Sequence, residues 1–498
     1  MNLLREYQKQ AINNIRNHFA KGKKKILLVA PTGSGKTVVV SSMLEQIIER
    51  GNFGLFVAHR RELVMQCSRK LADFDIKHGV IMASKTPNHY ADVQIASIQT
   101  FTSRKDRDDF IKPNANVIII DEAHRSTSKS FKQLIEEYPD AFVIGLTATP
   151  CRADGKGLGN IYEELVQGGN IKDLTRQGFL VPNRIVAPTI PDLQDIRIVA
   201  GDYEKKTLNT KMNTPKLVGD IVSHWIQHGE QRPTVVFGVS IKHSKYIANI
   251  FKQNGVPSGH IDGEMAEIER EEQLEKLNSG EIKVLSNCMV LTEGWDQPKV
   301  SCVIIARPTK SYSLYLQMVG RSLRPAPNKK DTLIIDHSGC VYEHGFPEDV
   351  PDWTLKTSKE KEKKKKEPKP IDQQPFTCVE CDTVYKPIKD SPECPNCGHI
   401  PTKKEEVILI KQGRLVELPK MKPNAEDKEN FYAQLVYFAK QKGYKEGWAS
   451  YTFKEKYGHW PHSKKVIPVA TGKDVMGYIQ HLNIRRAKSK NIREFSYE

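Results

Sequence analysis

Short apolar runs alternate with longer amphipathic ones along the first third of the chain. Residues 26–30, 55–58, 93–96, 117–120 and 142–146 are each too short for a helix and apolar almost throughout, the pattern of strands buried on both faces. Helix-length segments, such as 62–73 and 129–137, lie between them. This alternation predicts a parallel, doubly wound α/β sheet. The rhythm returns at 234–237, 259–261, 283–285, 302–305 and 332–335, with helices over 241–253 and 267–277. Between the two sets, 171–180 reads as a helix followed by an exit strand from Val181-Pro182, and 200–214 as a polar crossing. The glycine-rich 154–159 has no strand feeding it and reads as a flexible loop.

The polar clusters fall where strands end, which is where such sheets place their ligands. The first is APTGSGKT, 30–37, between an apolar run and an amphipathic helix. Gly33 and Gly35 let backbone N–H groups turn inward around phosphate oxygens, with Thr32 and Ser34 in the same loop. Lys36 reaches the β- and γ-phosphates, and the Thr37 hydroxyl ligates Mg²⁺. The run VIII at 117–120 delivers a second cluster, Asp121-Glu122-Ala123-His124. Asp121 is placed to hold Mg²⁺ and Glu122 to orient or deprotonate the attacking water. His124 reads equally as a relay or a packed ring. Upstream, Gln8 in LREYQ has an amide suited to an adenine edge, or simply begins a polar helix. In QMVGRSLR, 317–324, helical spacing puts Gln317, Arg321 and Arg324 on one face. Two guanidiniums there suit the charge of a transferring γ-phosphoryl group, with Arg324 as the main finger and Arg321 as the holder.

Charge changes the picture of partners. A formal net charge of +16 with a pI near 9.2 favours a polyanion, nucleic acid first. With no apolar run of about 20 residues and no apolar stretch in MNLLREYQKQ, a cytoplasmic protein without membrane contact is expected. Five of the nine cysteines are scattered. The other four form two C-x-x-C pairs, Cys378/Cys381 and Cys394/Cys397, twelve residues apart, the spacing of a structural zinc ribbon. The stretch 359–370, KEKEKKKKEPKP, reads as a solvated linker. Beyond the ribbon, Phe431, Leu435, Phe438 and Ala439 recur at helical spacing, and a second helix starts near Trp448 and runs through Phe453 towards Tyr457. Its aromatics are mostly core, or a stacking surface for single-stranded DNA. The last basic stretch is 485–490.

APTGSGKT, DEAH and TATP, in this order, resemble motifs I, II and III of superfamily 2 helicases. LREYQ resembles their Q-motif, VAHRREL motif Ia, EGWDQP at 293–298 motif V, and QMVGRSLR motif VI. The resemblance implies two tandem RecA-like sheets closing on ATP and Mg²⁺. It also implies that Asp296 reaches the ribose and that Arg60 and Gln99-Thr100 lie along a nucleic-acid groove. With the four-cysteine ribbon and KEGWASYTFKEKYGHWP at 445–461, the chain resembles the RadD (YejH) group of bacterial and phage helicase-like ATPases. The expected organisation is a first RecA-like domain over 1–185, a connector over 186–225 and a second RecA-like domain over 226–345. A charged linker over 346–372, a zinc ribbon over 373–402 and a helical module over 403–498 follow. The expected function is ATP-dependent movement on, or remodelling of, DNA, in the setting of repair, recombination or replication proteins. Two rivals are the motor subunit of a restriction-type nuclease complex and a nucleic-acid clamp that does not unwind.

Overall fold

A computed structural model describes residues 4–83, 85, 88–150, 157–188, 190–349, 353–356, 374–387, 391–401, 425–445, 447–462, 466–472, 475–476, 478–479 and 482. The chain forms two compact units, Met1–Thr402 and Lys403–Glu498. The expected linker stretch 359–370, the basic stretch 485–490 and residues 154–156 of the 154–159 loop lie outside the described residues.

The first unit holds two sheets. The first sheet contains β1 (Lys25–Val29), β2 (Gly54–Ala58), β3 (His78–Ile81), β4 (Val93–Ser97), β5 (Val117–Ile120), β6 (Phe142–Thr147) and β7 (Glu164–Gln167). They lie in the order β3-β4-β2-β5-β6-β1-β7, all parallel. Alternate residues of the central strands feed opposite cores: Ile26, Leu28 and Phe56 pack on one face, Leu27, Val29 and Leu55 on the other. That two-sided burial is why these strands are apolar almost throughout. The edge strands β3 and β7 each bury fewer residues and carry polar ones, so neither has an apolar run to announce it.

The second sheet contains β8 (Asn183–Val186), β11 (Thr234–Phe237), β12 (Ser258–Ile261), β13 (Val284–Asn287), β14 (Cys302–Ile305) and β15 (Thr332–Asp336). A separate two-stranded hairpin is made by β9 (Ile198–Val199) and β10 (Asp202–Tyr203). The sheet order is β12-β13-β11-β14-β15-β8, extended by β17 (Thr383–Tyr385) and β16 (Phe376–Thr377). The six main strands are parallel, whereas β17 adds antiparallel to β8.

Three expected boundaries differ here. The division at 185 falls inside β8, which pairs with β15 through Asn183↔Thr332 to Val186↔Ile335 and so belongs to the second sheet. The expected connector, 186–225, contains most of the helix Pro215–His228, whose Val218, Ile221, Val222 and Trp225 are buried in the second sheet's core. Thr214 caps that helix and Pro215 opens it, a strong start signal. The expected linker begins as packed chain: Phe346 joins the second lobe's core, and Trp353 and Leu355 pack on the first lobe's. The ribbon, finally, covers the edge that β8 would otherwise expose. Val384 packs with Ile185 and Ile334, and Ala187 N–H donates to Asp382 O at 3.0 Å.

In the second unit, the helices Ala425–Lys442 and Trp448–Tyr457 pack Phe431, Leu435, Phe438 and Phe453 against Val475 and Ile479. Most of the aromatics are therefore core, while Tyr451 and Trp460 remain outside. Among the described residues, no helix is long and apolar enough to cross a membrane.

Candidate active site

The phosphate loop forms where β1 meets the helix Lys36–Glu49. Gly33 and Gly35 both take left-handed backbone, with φ of 86° and 79°. A Cβ on Gly35 would stand 2.7 Å from Gln8 Nε2, and one on Gly33 would stand 3.1 Å from Arg324 Cγ. The loop is thus gripped on one side by its own lobe and on the other by the second. Lys36 Nζ donates to Ala30 O at 3.0 Å and Pro31 O at 3.2 Å. Burial lowers its pKa, opposed by the carboxylates of Glu122 and Asp121.

Gln8 has both amide ends engaged. Its Oε1 accepts from Arg5 N at 2.9 Å and its Nε2 donates to Ser34 O at 3.2 Å. It therefore braces the loop, joined by Tyr7, whose hydroxyl donates to Ser34 O at 2.5 Å. The flat surface at this end of the cleft comes from Phe179, 5.5 Å from the Tyr7 ring, with the Arg5 guanidinium 4.3 Å above it. Phe179 follows a helix and carries no motif, so nothing in the sequence singles it out.

Asp121 and Glu122 follow β5, and Glu122 is held in left-handed backbone with φ of 49°. Glu122 Oε2 lies 3.2 Å from His124 Nδ1 and accepts from Gln317 Nε2 at 3.4 Å. Burial acts to raise the Glu122 carboxyl, but the hydrogen bond and charge of His124 hold it below its ordinary range. Asp121 is pushed up to about 7, by burial first and then by its ionised neighbour. The buried Glu122 and half-buried Asp121 carboxyl groups, with the Thr37 hydroxyl, are an oxygen donor set beside Lys36 that fits a hard divalent cation carrying a triphosphate.

The second lobe presents its three residues differently from expectation. The helix is Tyr312–Gly320, so only Gln317 is helical; Arg321 is the cap and Arg324 lies in the turn beyond. Pro325 explains this, since the residue before proline is disfavoured in helical backbone. The turn still aims all three into one cleft. Arg321 donates to Trp295 O at 2.6 Å and Thr292 O at 2.8 Å, and Arg324 pairs with Asp296. Burial, then the neighbouring Arg324 charge, lowers Arg321 to about 10. Thr149 Oγ1, from TATP, donates to Ser313 Oγ at 2.5 Å across the same seam. A cavity of about 890 Å³ remains between the lobes, lined by Gly35, Lys36, Thr37, Asp121, Arg321 and Arg324 among others.

The four ribbon cysteines converge: Cys378 Sγ is 3.5 Å from Cys397 Sγ, and Cys381 Sγ is 3.6 Å from Cys394 Sγ. All four sulfurs lie within 4.8 Å of one another. Metal–sulfur arms of about 2.3 Å give a tetrahedral edge of about 3.8 Å, so the set fits a tetrahedral thiolate-bound ion.

Residues 2–152 match the family described as type III restriction enzyme, res subunit, and residues 215–326 match the helicase conserved C-terminal domain. A putative ATP-dependent helicase of Saccharomyces cerevisiae, IRC3, is 33% identical over 359 residues, covering 68% of this chain and 52% of its own length. The chain thus spans about half of that relative. A 51.5 kDa protein of a Lactococcus phage is 29% identical over 416 residues, covering 82% of this chain and 86% of itself. Among solved structures, a fragment of a putative HsdR subunit of a type I restriction enzyme from Vibrio vulnificus superposes with a TM-score of 0.55 at 22% identity. It covers 72% of this chain and 68% of that one. The type ISP restriction-modification enzyme LlaBIII, bound to DNA, gives 0.52 at 19% identity, covering 68% of this chain and 28% of that one. Two domain matches in tandem, laid over two facing sheets, give residues 2–326 the domain organisation of a superfamily 2 helicase-like ATPase.

Proposed function

We propose that the chain is an ATP-driven motor on DNA, whose two lobes close on one nucleotide. The observation that carries this is the meeting of Gln317, Arg321 and Arg324 with Lys36, Asp121 and Glu122 around one cleft. Magnesium ATP, when bound, supplies the γ-phosphoryl group and the charge to be neutralised. The loop backbone at 32–35 and Lys36 hold phosphate oxygens, and Thr37 and Asp121 hold the cation. Glu122 takes the proton of the attacking water. Arg324 and Arg321 oppose the charge spread over the phosphoryl oxygens. Asp296, now paired with Arg324, is available to exchange that partner for a ribose hydroxyl.

The net charge of +16 suits either nucleic acid, and the likeness to the DNA-bound restriction enzyme favours DNA over RNA. The four-thiolate ribbon supports a reducing, cytoplasmic setting, and the RadD-like tail supports a place beside repair or recombination proteins. ATP turnover measured with single-stranded DNA, duplex DNA, forked DNA and RNA, at one stated salt concentration, tests the reading. Stimulation by DNA supports it, and equal rates with and without every nucleic acid sink it. A second reading, the motor of a restriction-type complex, is favoured by the res-subunit match over 2–152. It gains if the chain copurifies with a nuclease subunit.

The ribbon ion is zinc in this reading, present at about one per chain. Removing it is expected to loosen β17 from β8 and so expose that edge of the second sheet. Amide exchange at Ala187, whose N–H donates to Asp382 O, should rise after chelation, with a lower melting temperature. Unchanged exchange in metal-free protein would show that the ribbon strand stands without its ion.

A further inference from the structure

Away from the phosphate loop, a second knot of charge ties the lobes together. Glu293, from the second lobe, is 4% exposed. Its Oε2 lies 3.0 Å from His59 Nε2 and 2.9 Å from Arg60 Nε, and its Oε1 lies 3.3 Å from Arg125 Nη2. All three partners belong to the first lobe. His59 and Arg60 follow β2, and Arg125 stands three residues after Glu122. Arg60 also donates to Met289 O at 3.4 Å, and Gln99 Nε2 holds His59 O at 2.7 Å.

The loop that carries Glu293 has a second set of contacts. Thr292 O and Trp295 O, on either side of it, accept the Arg321 guanidinium, and Asp296 pairs with Arg324. One short loop therefore touches the first lobe's cations through Glu293 and fixes both arginines of the nucleotide cleft. The cations are not fully spent. Two guanidiniums against one carboxylate leave formal positive charge, and Arg60 and Arg125 keep 24% and 44% of their side-chain surface exposed. Such a half-open guanidinium pair suits a phosphodiester oxygen.

We propose that Glu293 is a positioning residue that couples contact of a nucleic-acid backbone at Arg60 and Arg125 to the placement of Arg321 and Arg324 in the nucleotide cleft. The proposal rests on the motor reading above. A phosphate that fixes Arg60 and Arg125 fixes the carboxylate between them, and with it the loop whose carbonyls hold Arg321. A carboxylate has the charge for this; an amide of the same shape does not.

The test compares wild type with Glu293→Gln, Glu293→Asp and Arg125→Gln. The readout is the ratio of ATP turnover with a saturating single-stranded oligonucleotide to turnover without it. A loss of folded protein lowers both rates and leaves this ratio alone, so a merely structural role does not move it. Couplings between sites are typically 5–150-fold, so the ratio should drop by about tenfold in Glu293→Gln and fall in Arg125→Gln. Glu293→Asp, which keeps the charge, should retain most of it. Oligonucleotide binding, followed by anisotropy, shows that saturation is reached in each variant. A Glu293→Gln ratio equal to that of stimulated wild type overturns the coupling alone. A wild-type ratio of one overturns the motor reading and the coupling with it.

Discussion

Glu122→Gln is expected to lower maximal ATP turnover by about 10³-fold, within the range ascribed to a positioned general base. The substitution keeps the shape of a side chain that is 6% exposed and packed in the seam between the lobes. It also keeps one oxygen to accept from Gln317 or His124. What it removes is the charge that takes a proton from water. Because Lys36 and the loop at 32–35 are untouched, a fluorescent ATP analogue should still bind with an affinity near that of wild type. Phosphate release under multiple turnover, beside analogue binding, separates the two effects. Turnover equal to wild type would assign the water to another residue, and loss of binding would show that Glu122 holds the loop rather than the water.

That prediction was open to inspection in the sequence, because phosphate chemistry demands contiguous residues. A loop that wraps phosphate must place its glycines, lysine and threonine within one turn, and the paired carboxylates must follow an apolar strand. Both needs leave short, unbroken signatures at 30–37 and 117–124. The sheets were legible for a related reason: strands covered on both faces are apolar at most positions. Contacts made between distant segments left no such trace. Nothing around Phe179 shows that its ring lies under Arg5 and beside Tyr7. The two C-x-x-C pairs announce a metal site, yet they do not say that β17 extends the second sheet along β8. The strand at 183–186 looks like the end of the first domain, and only its pairing with β15 assigns it to the second. In one case the signal was present and outweighed: Pro325 disfavours helical backbone at Arg324, where spacing alone would carry the helix.

Gly320→Ala is expected to cut maximal turnover by about 10²-fold, the cost of a misplacement on the order of 1 Å in a reacting site. Gly320 ends the helix that carries Gln317, and it faces the phosphate loop directly. A Cβ there would stand 2.5 Å from Thr32 Cβ, 3.0 Å from Cγ2 and 3.1 Å from Oγ1. The first distance is shorter than any Cβ contact tolerates, and its partner is a branch point next to the backbone, with no flexible end to swing aside. The helix, the loop or the whole lobe must move, and each of these carries Gln317 and Arg321 away from Glu122 and Lys36. The fold of either lobe has no reason to suffer, since alanine is the better helix former by about 1 kcal/mol. The melting temperature should therefore hold while turnover falls. The companion change Thr32→Gly, which removes the opposing Cβ, should restore part of the rate in the double variant and not when made alone. Wild-type turnover in Gly320→Ala would mean that the two lobes do not meet at this contact in the state that hydrolyses ATP.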